Sequence, residues 1–208
     1  MIKAILFDID GVLLDSFDAN LDFYQRLMAL AGYQGPTREE YIPFFHRPMR
    51  DLIAAHTQAE SPEEIQRIWE MGCNREGLYD HALLSMPTMT EEIISSLHTS
   101  YHLGVVTSRV ISGVYTVPAL KNLERYFSTL VAYEDTEHHK PHPAPLLLAA
   151  QRLACAPPDC VYIGDAPTDM IAAQEAGMQR ILFSTTIDIP DVVRATSFTG
   201  LPDIIAAL

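Results

Sequence analysis

Ile5-Leu6-Phe7-Asp8-Ile9-Asp10-Gly11-Val12-Leu13-Leu14-Asp15 is the stretch whose reading decides the fold. An apolar run from Ile2 to Phe7 stops abruptly at an acid. Such a run, followed by turn residues, reads as a strand buried on both faces of a parallel sheet. Asp8 then stands at the carboxyl end of that strand, where open α/β sheets bind their ligands. Asp10 follows two residues later, and Gly11 allows a sharp turn. One acid could ligate a metal or attack an electrophile while the other handles a proton. A strand capped by two solvated acids would read the same way, so this pair alone decides nothing about function.

Downstream of Asp15 the periodicity changes. Leu21, Tyr24, Leu27, Met28 and Ala31 recur at helical spacing, and Gly32 ends the run. Thr37-Arg38-Glu39-Glu40 and Ser61-Pro62-Glu63-Glu64 have capping-box form, with Pro62 at the favoured first helical position. Arg47 to His56 reads as a further short helix, and Asp15 and Ser16 as the cap of the first one. No strand-like run interrupts this block up to about Tyr79. It is expected to be a small all-helical insertion, residues 16–81.

The α/β alternation then resumes. A helix starts at Thr88-Met89-Thr90-Glu91 and runs to about Ser100, before a short buried strand, Leu103 to Val106. Ile111 to about Phe127 reads as mostly helical, interrupted by Pro118. Further strands are expected at Thr129 to Tyr133, Cys160 to Ile163 and Arg180 to Phe183, with a weaker edge strand at Ala195 to Phe198. Helices are expected at Pro145 to Leu153, between Pro167 and Gly177, and near Pro202 to Leu208. Strands alternating with helices imply a parallel sheet. The expected fold is therefore a doubly wound, Rossmann-like α/β core of residues 1–15 and 82–208 carrying a helical cap.

Composition narrows the function classes. Forty-eight per cent of the 208 residues are hydrophobic, so a packed globular chain is expected. The 27 acidic residues outnumber the 14 basic ones, giving a formal net charge of -13, which argues against a nucleic-acid or anionic-membrane surface. It leaves a phosphate ligand open, because a bound divalent cation reverses the local field. No apolar run approaches the ~20 residues of a membrane helix. Met1-Ile2-Lys3 leads straight into the first strand, where a signal peptide would have no room. Cys73, Cys155 and Cys160 lack metal-ligand spacing, and their odd number fits a reducing cytoplasmic setting.

The strand ends share a chemistry. The first carries Asp8 and Asp10, and the second Thr107 and Ser108. Lys140 follows the third, in His138-His139-Lys140-Pro141-His142-Pro143. The fourth carries Asp165, with Asp169 in the first turn of the next helix. Parallel strands bring these ends to one edge of the sheet. Clustered carboxylates need a cation, and hard oxygen ligands suit Mg²⁺. A hydroxyl and an ammonium suit phosphoryl oxygens, and an aspartate nucleophile forming an aspartyl-phosphate is established chemistry. Taken singly, Thr107 reads as a strand-end hydroxyl capping a turn, and Lys140 as a solvated loop lysine.

Together these motifs resemble the haloacid dehalogenase superfamily, in the branch with a helical cap inserted after the first strand. Phe7-Asp8-Ile9-Asp10-Gly11-Val12-Leu13, Val106-Thr107-Ser108, Lys140-Pro141-His142-Pro143 and Gly164-Asp165-Ala166-Pro167-Thr168-Asp169 are similar to its four motifs, in order. The resemblance covers essentially the whole chain. It implies Asp8 as nucleophile and Mg²⁺ ligand. Asp10 would be the general acid/base, its carbonyl a further metal ligand. Thr107 and the amide of Ser108 would hold the transferring phosphoryl group, and Lys140 would neutralise charge on it. Asp165 would be the second metal carboxylate, and Asp169 would support a metal water or orient Lys140.

Within the family, the presence of Asp10 disfavours the halide-releasing branch, which lacks the second acid. The only lysines are Lys3, Lys121 and Lys140, so none in the helical block can form the Schiff base of the phosphonate hydrolases. The reading that remains is a Mg²⁺-dependent phosphatase acting on a small phosphorylated metabolite, similar to phosphoglycolate phosphatases. The alternatives are a sugar phosphomutase of the β-phosphoglucomutase type, or an inactive relative that binds a phospho-ligand or a partner. A mutase cap should present cations, for which Arg38, Arg47 and Arg50 are candidates. A solvated or salt-bridged helix face is the plainer reading of the three. Arg47, Arg50 and His142 are candidate substrate contacts. The three loop histidines, which could suggest a zinc site, read as polar filler. Trp69 and Met71 read as core. Oligomeric state is not legible.

Overall fold

The apolar run before Asp8 forms a strand, β1 (Ala4–Phe7), with all four residues fully buried. The structure, a computed structural model, describes residues 1–57, 61–74 and 77–208. The helical reading of residues 58–60 and 75–76 lies outside them. The chain divides into two compact units, Met1–Asp15 with Met86–Leu208, and Ser16–Ser85.

In the first unit β1 is joined by β2 (His102–Val106), β3 (Thr129–Val131), β4 (Cys160–Gly164), β5 (Gln179–Phe183) and β6 (Val193–Ala195). Among the described residues these form one parallel sheet of order β3-β2-β1-β4-β5-β6. The order reverses between β1 and β4, which makes that gap the switch point of a doubly wound sheet. Phe7 is in register with both Val105 and Ile163, so Asp8, Thr107 and Asp165 leave the sheet at nearly one level.

Side chains alternate across β1, and each face buries its own layer. Ala4 and Leu6 join Leu146, Ala149 and Ala150 of the helix Ala144–Arg152 and Ala172 and Ala173 of the helix Pro167–Glu175. Phe7 meets Phe127 and Phe198 on the opposite face, ring centroids 6.2 Å away in each case.

Several expected boundaries move. Pro118 does not merely interrupt a helix. It takes the first position of a new one, Pro118–Leu123, after a short turn of helix at Ile111–Tyr115. β3 stops at Val131 because the Asp135 carboxylate accepts from the Ala132 amide and pulls Tyr133–Asp135 into a 3₁₀ turn. The edge strand lies at Val193–Ala195, earlier than Ala195 to Phe198. Phe198 is instead drawn into a 3₁₀ turn, buried against Phe7 and Phe183.

The second unit is helical among its described residues. It contains Phe17–Ala31, Arg38–Tyr41, Met49–Thr57 and Pro62–Asn74, with 3₁₀ turns at Ile42–Phe44 and His81–Leu83. Its core gathers Phe23, Leu27, Met28, Tyr41, Leu52, Ile53 and Ile68, with Trp69 and Met71 packed against it. Thr37 and Glu40 form the reciprocal capping box. Gly32 closes the first helix in the left-handed conformation, φ 89°. Ser16 stands at the N-cap of that helix, but its hydroxyl makes no capping bond and accepts from Asn20 Nδ2.

Candidate active site

The loop after β1 is tightly wound. The amides of Val12, Leu13 and Leu14 donate to the Ile9 carbonyl, and the Gly11 amide donates to that of Leu14. Ile9, Val12, Leu13 and Leu14 are fully buried, which pins the backbone around Asp10. Gly11 has φ +77°, and a Cβ there would lie 1.6 Å from Asp165 Oδ2. Its missing side chain is what lets the Asp165 carboxylate lie against this loop.

Asp8 continues the sheet, its amide donating to the Ile163 carbonyl. Its Oδ1 accepts from the Ile9 amide at 2.7 Å, and its Oδ2 accepts from Lys140 Nζ at 2.8 Å. Lys140 Nζ also donates to Asp169 Oδ1 at 2.8 Å and to the Tyr162 hydroxyl at 2.9 Å. An ammonium has three donors, so the geometry engages all of them. The other Asp169 oxygen accepts from the amides of Asp165 and Ala166, each at 3.1 Å. Asp169 thus caps the helix that follows β4 and holds Lys140 at the same time.

Asp8, Asp165 and Asp169 each present an oxygen within 4.8 Å of the other two, and all three are buried. Burial pushes the Asp8 carboxyl up, to about 7; Lys140 opposes the rise and the Asp169 and Asp165 carboxylates add to it. For Lys140, burial alone would lower the basicity, but Asp169 and Asp8 outweigh it and drive it well above the ordinary lysine value. One buried ammonium, paired with two of three clustered buried carboxylates, leaves an acid-rich oxygen cluster. That donor set suits a hard divalent cation.

Asp10 points to a different cation. Arg109 Nε donates to Asp10 Oδ2 at 2.8 Å and Arg109 Nη2 to Asp10 Oδ1 at 2.7 Å, a bidentate fork. Thr107 is buried, and its hydroxyl accepts from the Arg109 amide at 3.1 Å. Ser108, between them, is half-buried.

His142 does not join this cluster in the structure. It is exposed, its Nδ1 accepts from the Ala144 amide, and its ring lies 4.6 Å from that of His138. His139 stacks on Tyr133 at 4.0 Å. In the helical unit Arg50 donates to Gln66 and lies over Trp69, Arg47 lies over Phe44, and Arg38 pairs with Asp18.

Two side chains of this region escaped the sequence reading. In the sequence Tyr162 is one more residue of an apolar strand run, and Arg109 follows Thr107-Ser108 with no motif of its own. The signal for Tyr162 was a hydroxyl inside a fully buried strand, which has to find a partner. The signal for Arg109 was a cation directly following a strand end that faces acids.

A family model described as haloacid dehalogenase-like hydrolase matches residues 5–183. A pyrophosphatase, PpaX, from Bacillus velezensis is 28% identical over 186 residues, 89% of this chain and 85% of that protein. Among solved structures, a subfamily IA hydrolase of the same superfamily from Geobacter sulfurreducens is 29% identical. It superposes with a TM-score of 0.73, with 98% of this chain and 96% of that one covered. The β-phosphoglucomutase of Clostridium difficile is 18% identical, with a TM-score of 0.79 and 100% and 98% covered, which is a likeness of fold alone.

Proposed function

The chain belongs to the haloacid dehalogenase-like hydrolases, and from that premise we propose that it is a Mg²⁺-dependent phosphatase of a small phosphorylated metabolite. The observation that carries this reading is the buried Lys140 ammonium bound to Asp8 and Asp169 beside Asp165. A nucleophilic carboxylate next to a fixed cation is the arrangement that phosphoryl transfer needs, since it depends on positioning and charge neutralisation.

In this reading Asp8 attacks the phosphorus. A bond forms between its oxygen and phosphorus, and the bond to the leaving oxygen breaks. Asp10 gives that oxygen a proton. Water then attacks the aspartyl-phosphate, Asp10 takes the water's proton, and phosphate leaves with Asp8 restored. Thr107 and the Ser108 amide hold the phosphoryl oxygens throughout, Lys140 neutralises charge on Asp8 and on those oxygens, and Asp169 keeps Lys140 in place. The carboxylates of Asp8 and Asp165 and the carbonyl of Asp10 would hold Mg²⁺, which when bound neutralises phosphoryl charge.

The substrate class rests on resemblance. The motifs are similar to those of phosphoglycolate phosphatases, and the PpaX likeness adds pyrophosphate as a candidate. Substrate choice is assigned to the helical unit, with Arg47 and Arg50 as candidates there and His142 as one in the core. Arg38 and Arg50 already have partners within their own unit, which weakens the mutase reading. Three cysteines without metal-ligand spacing support a cytosolic setting. Among the described residues no helix is long and apolar enough to cross a membrane.

The test is a panel of small phosphate monoesters and pyrophosphate, assayed for inorganic phosphate with Mg²⁺ and with a chelator. Release that needs Mg²⁺ and no bisphosphate activator is expected. Full turnover in chelator would remove the metal, and efficient isomerisation of a hexose phosphate with little free phosphate would favour the mutase.

A further inference from the structure

Arg109 is anchored on every side that the structure displays. Its amide donates to Thr107 Oγ1 at 3.1 Å, and its carbonyl accepts from the Tyr133 amide at 2.8 Å. One guanidinium nitrogen, Nη1, donates to the Gly113 carbonyl at 3.2 Å. The remaining edge, Nε with Nη2, grips both oxygens of Asp10. The backbone around Asp10 is fixed by the wound loop, but that loop does not set the aspartate's side-chain torsions. The fork does. A guanidinium is planar and binds a carboxylate in one plane with two parallel bonds, so it fixes both the place and the tilt of the carboxyl. The side chains are 11% exposed for Arg109 and 19% for Asp10, so water competes weakly for the pair.

The arrangement also separates two acids that are only two residues apart. Asp8 is drawn toward Lys140 and Asp10 toward Arg109. Because the same residue's amide holds the Thr107 hydroxyl, Arg109 couples the loop after β2 to the acid of the loop after β1.

We infer that Arg109 is the positioning residue for Asp10, setting the carboxyl where it can exchange a proton with the leaving oxygen and with the attacking water. The inference rests on the phosphatase reading above and deepens it. A displacement of about 1 Å at a reacting group can cost on the order of 10²-fold in rate. The cost of losing Arg109 should therefore be paid only where Asp10's proton matters.

The experiment measures kcat/KM for an alkyl phosphate, phenyl phosphate and 4-nitrophenyl phosphate in Mg²⁺. The proteins are the unmodified enzyme, Arg109→Ala, Asp10→Asn and the double variant. Arg109→Ala is expected to lose on the order of 10²-fold on the alkyl ester and only a few-fold on 4-nitrophenyl phosphate, whose leaving group needs no proton. The double variant is expected to be no slower than Asp10→Asn alone, because the two residues act as one unit. An equal Arg109→Ala loss across the series, or losses that multiply in the double variant, would make Arg109 a structural tie and overturn the inference. If Arg109→Ala fails to fold by circular dichroism, Arg109→Lys keeps the cation without the fork and is judged by the same two criteria. A flat series for Asp10→Asn removes its acid role, and the inference with it. If the unmodified enzyme releases no phosphate, the phosphatase reading itself fails. An active enzyme with a sloped Asp10→Asn series and a flat Arg109→Ala series sinks only the role of Arg109.

Discussion

Two cations at the same sheet edge keep different company. Lys140 is a compact ammonium surrounded by Asp8, Asp169 and Tyr162, next to Asp165. Arg109 is a planar fork that grips both oxygens of Asp10. The first neighbourhood is rich in acid, and burial raises Asp8 accordingly. The second is a bidentate pair that fixes geometry. The difference teaches that neighbouring aspartates in one motif can be given separate tasks by their partners. One carboxylate is set in a cluster suited to a metal and an electrophile, the other in a clamp suited to proton transfer.

Breaking the first neighbourhood should have the largest effect. Lys140→Met leaves the carboxylates of Asp8 and Asp169 without their shared ammonium and, in the proposed mechanism, removes the charge that neutralises the phosphoryl oxygens. A loss of about 10²–10³-fold in kcat is expected, as for removal of one charge-stabilising donor. Tyr162→Phe probes the same ammonium more gently. The hydroxyl accepts from Lys140 and donates to the Val106 carbonyl at 3.2 Å, so its loss loosens Lys140 without discharging it. A fall of about 10-fold or less is expected, the worth of one hydrogen bond. Steady-state kinetics on both variants would blur the comparison if Tyr162→Phe proved as damaging as Lys140→Met.

The smallest effect is thermodynamic. In the metal-free protein the Asp8 carboxyl is raised from 3.8 to about 7 by burial and by its neighbouring acids. Between those values the folded state binds more protons at Asp8 than the unfolded chain does, so stability falls as pH rises through that window. Asp8→Asn removes the penalty. In chelator its melting temperature should exceed that of the unmodified protein by a few degrees at about pH 8.5, and by less at about pH 5. Thermal melts at the two pH values check this. A gain that is equal or larger at the lower pH would mean that Asp8 is not the group under strain.

Much of this arrangement was legible in the chain. The apolar run into Asp8 and the short runs before Thr107 and Asp165 marked buried parallel strands. Parallel strands bring their ends together whatever the intervening residues. Spacing could not reveal which polar groups meet past those ends. Tyr162 looks like any aromatic of a buried strand until the register turns its hydroxyl toward Lys140. Arg109 sits 99 residues from Asp10, a pairing that only tertiary structure makes. The misplacement of β6 has a similar origin. Phe198 carries strand-like character, but its burial on Phe7 and Phe183 holds it in a turn.

The most direct measurement is rapid acid quenching of the enzyme with a radiolabelled aryl phosphate in Mg²⁺, followed by counting of protein-bound label. The unmodified protein should acquire acid-stable, alkali-labile label within the first turnover. Asp10→Asn should hold it longer because hydrolysis of the phosphoenzyme has lost its base, and Asp8→Asn should acquire none. Label on Asp8→Asn equal to that on the unmodified protein would contradict the assignment of Asp8 as the nucleophile.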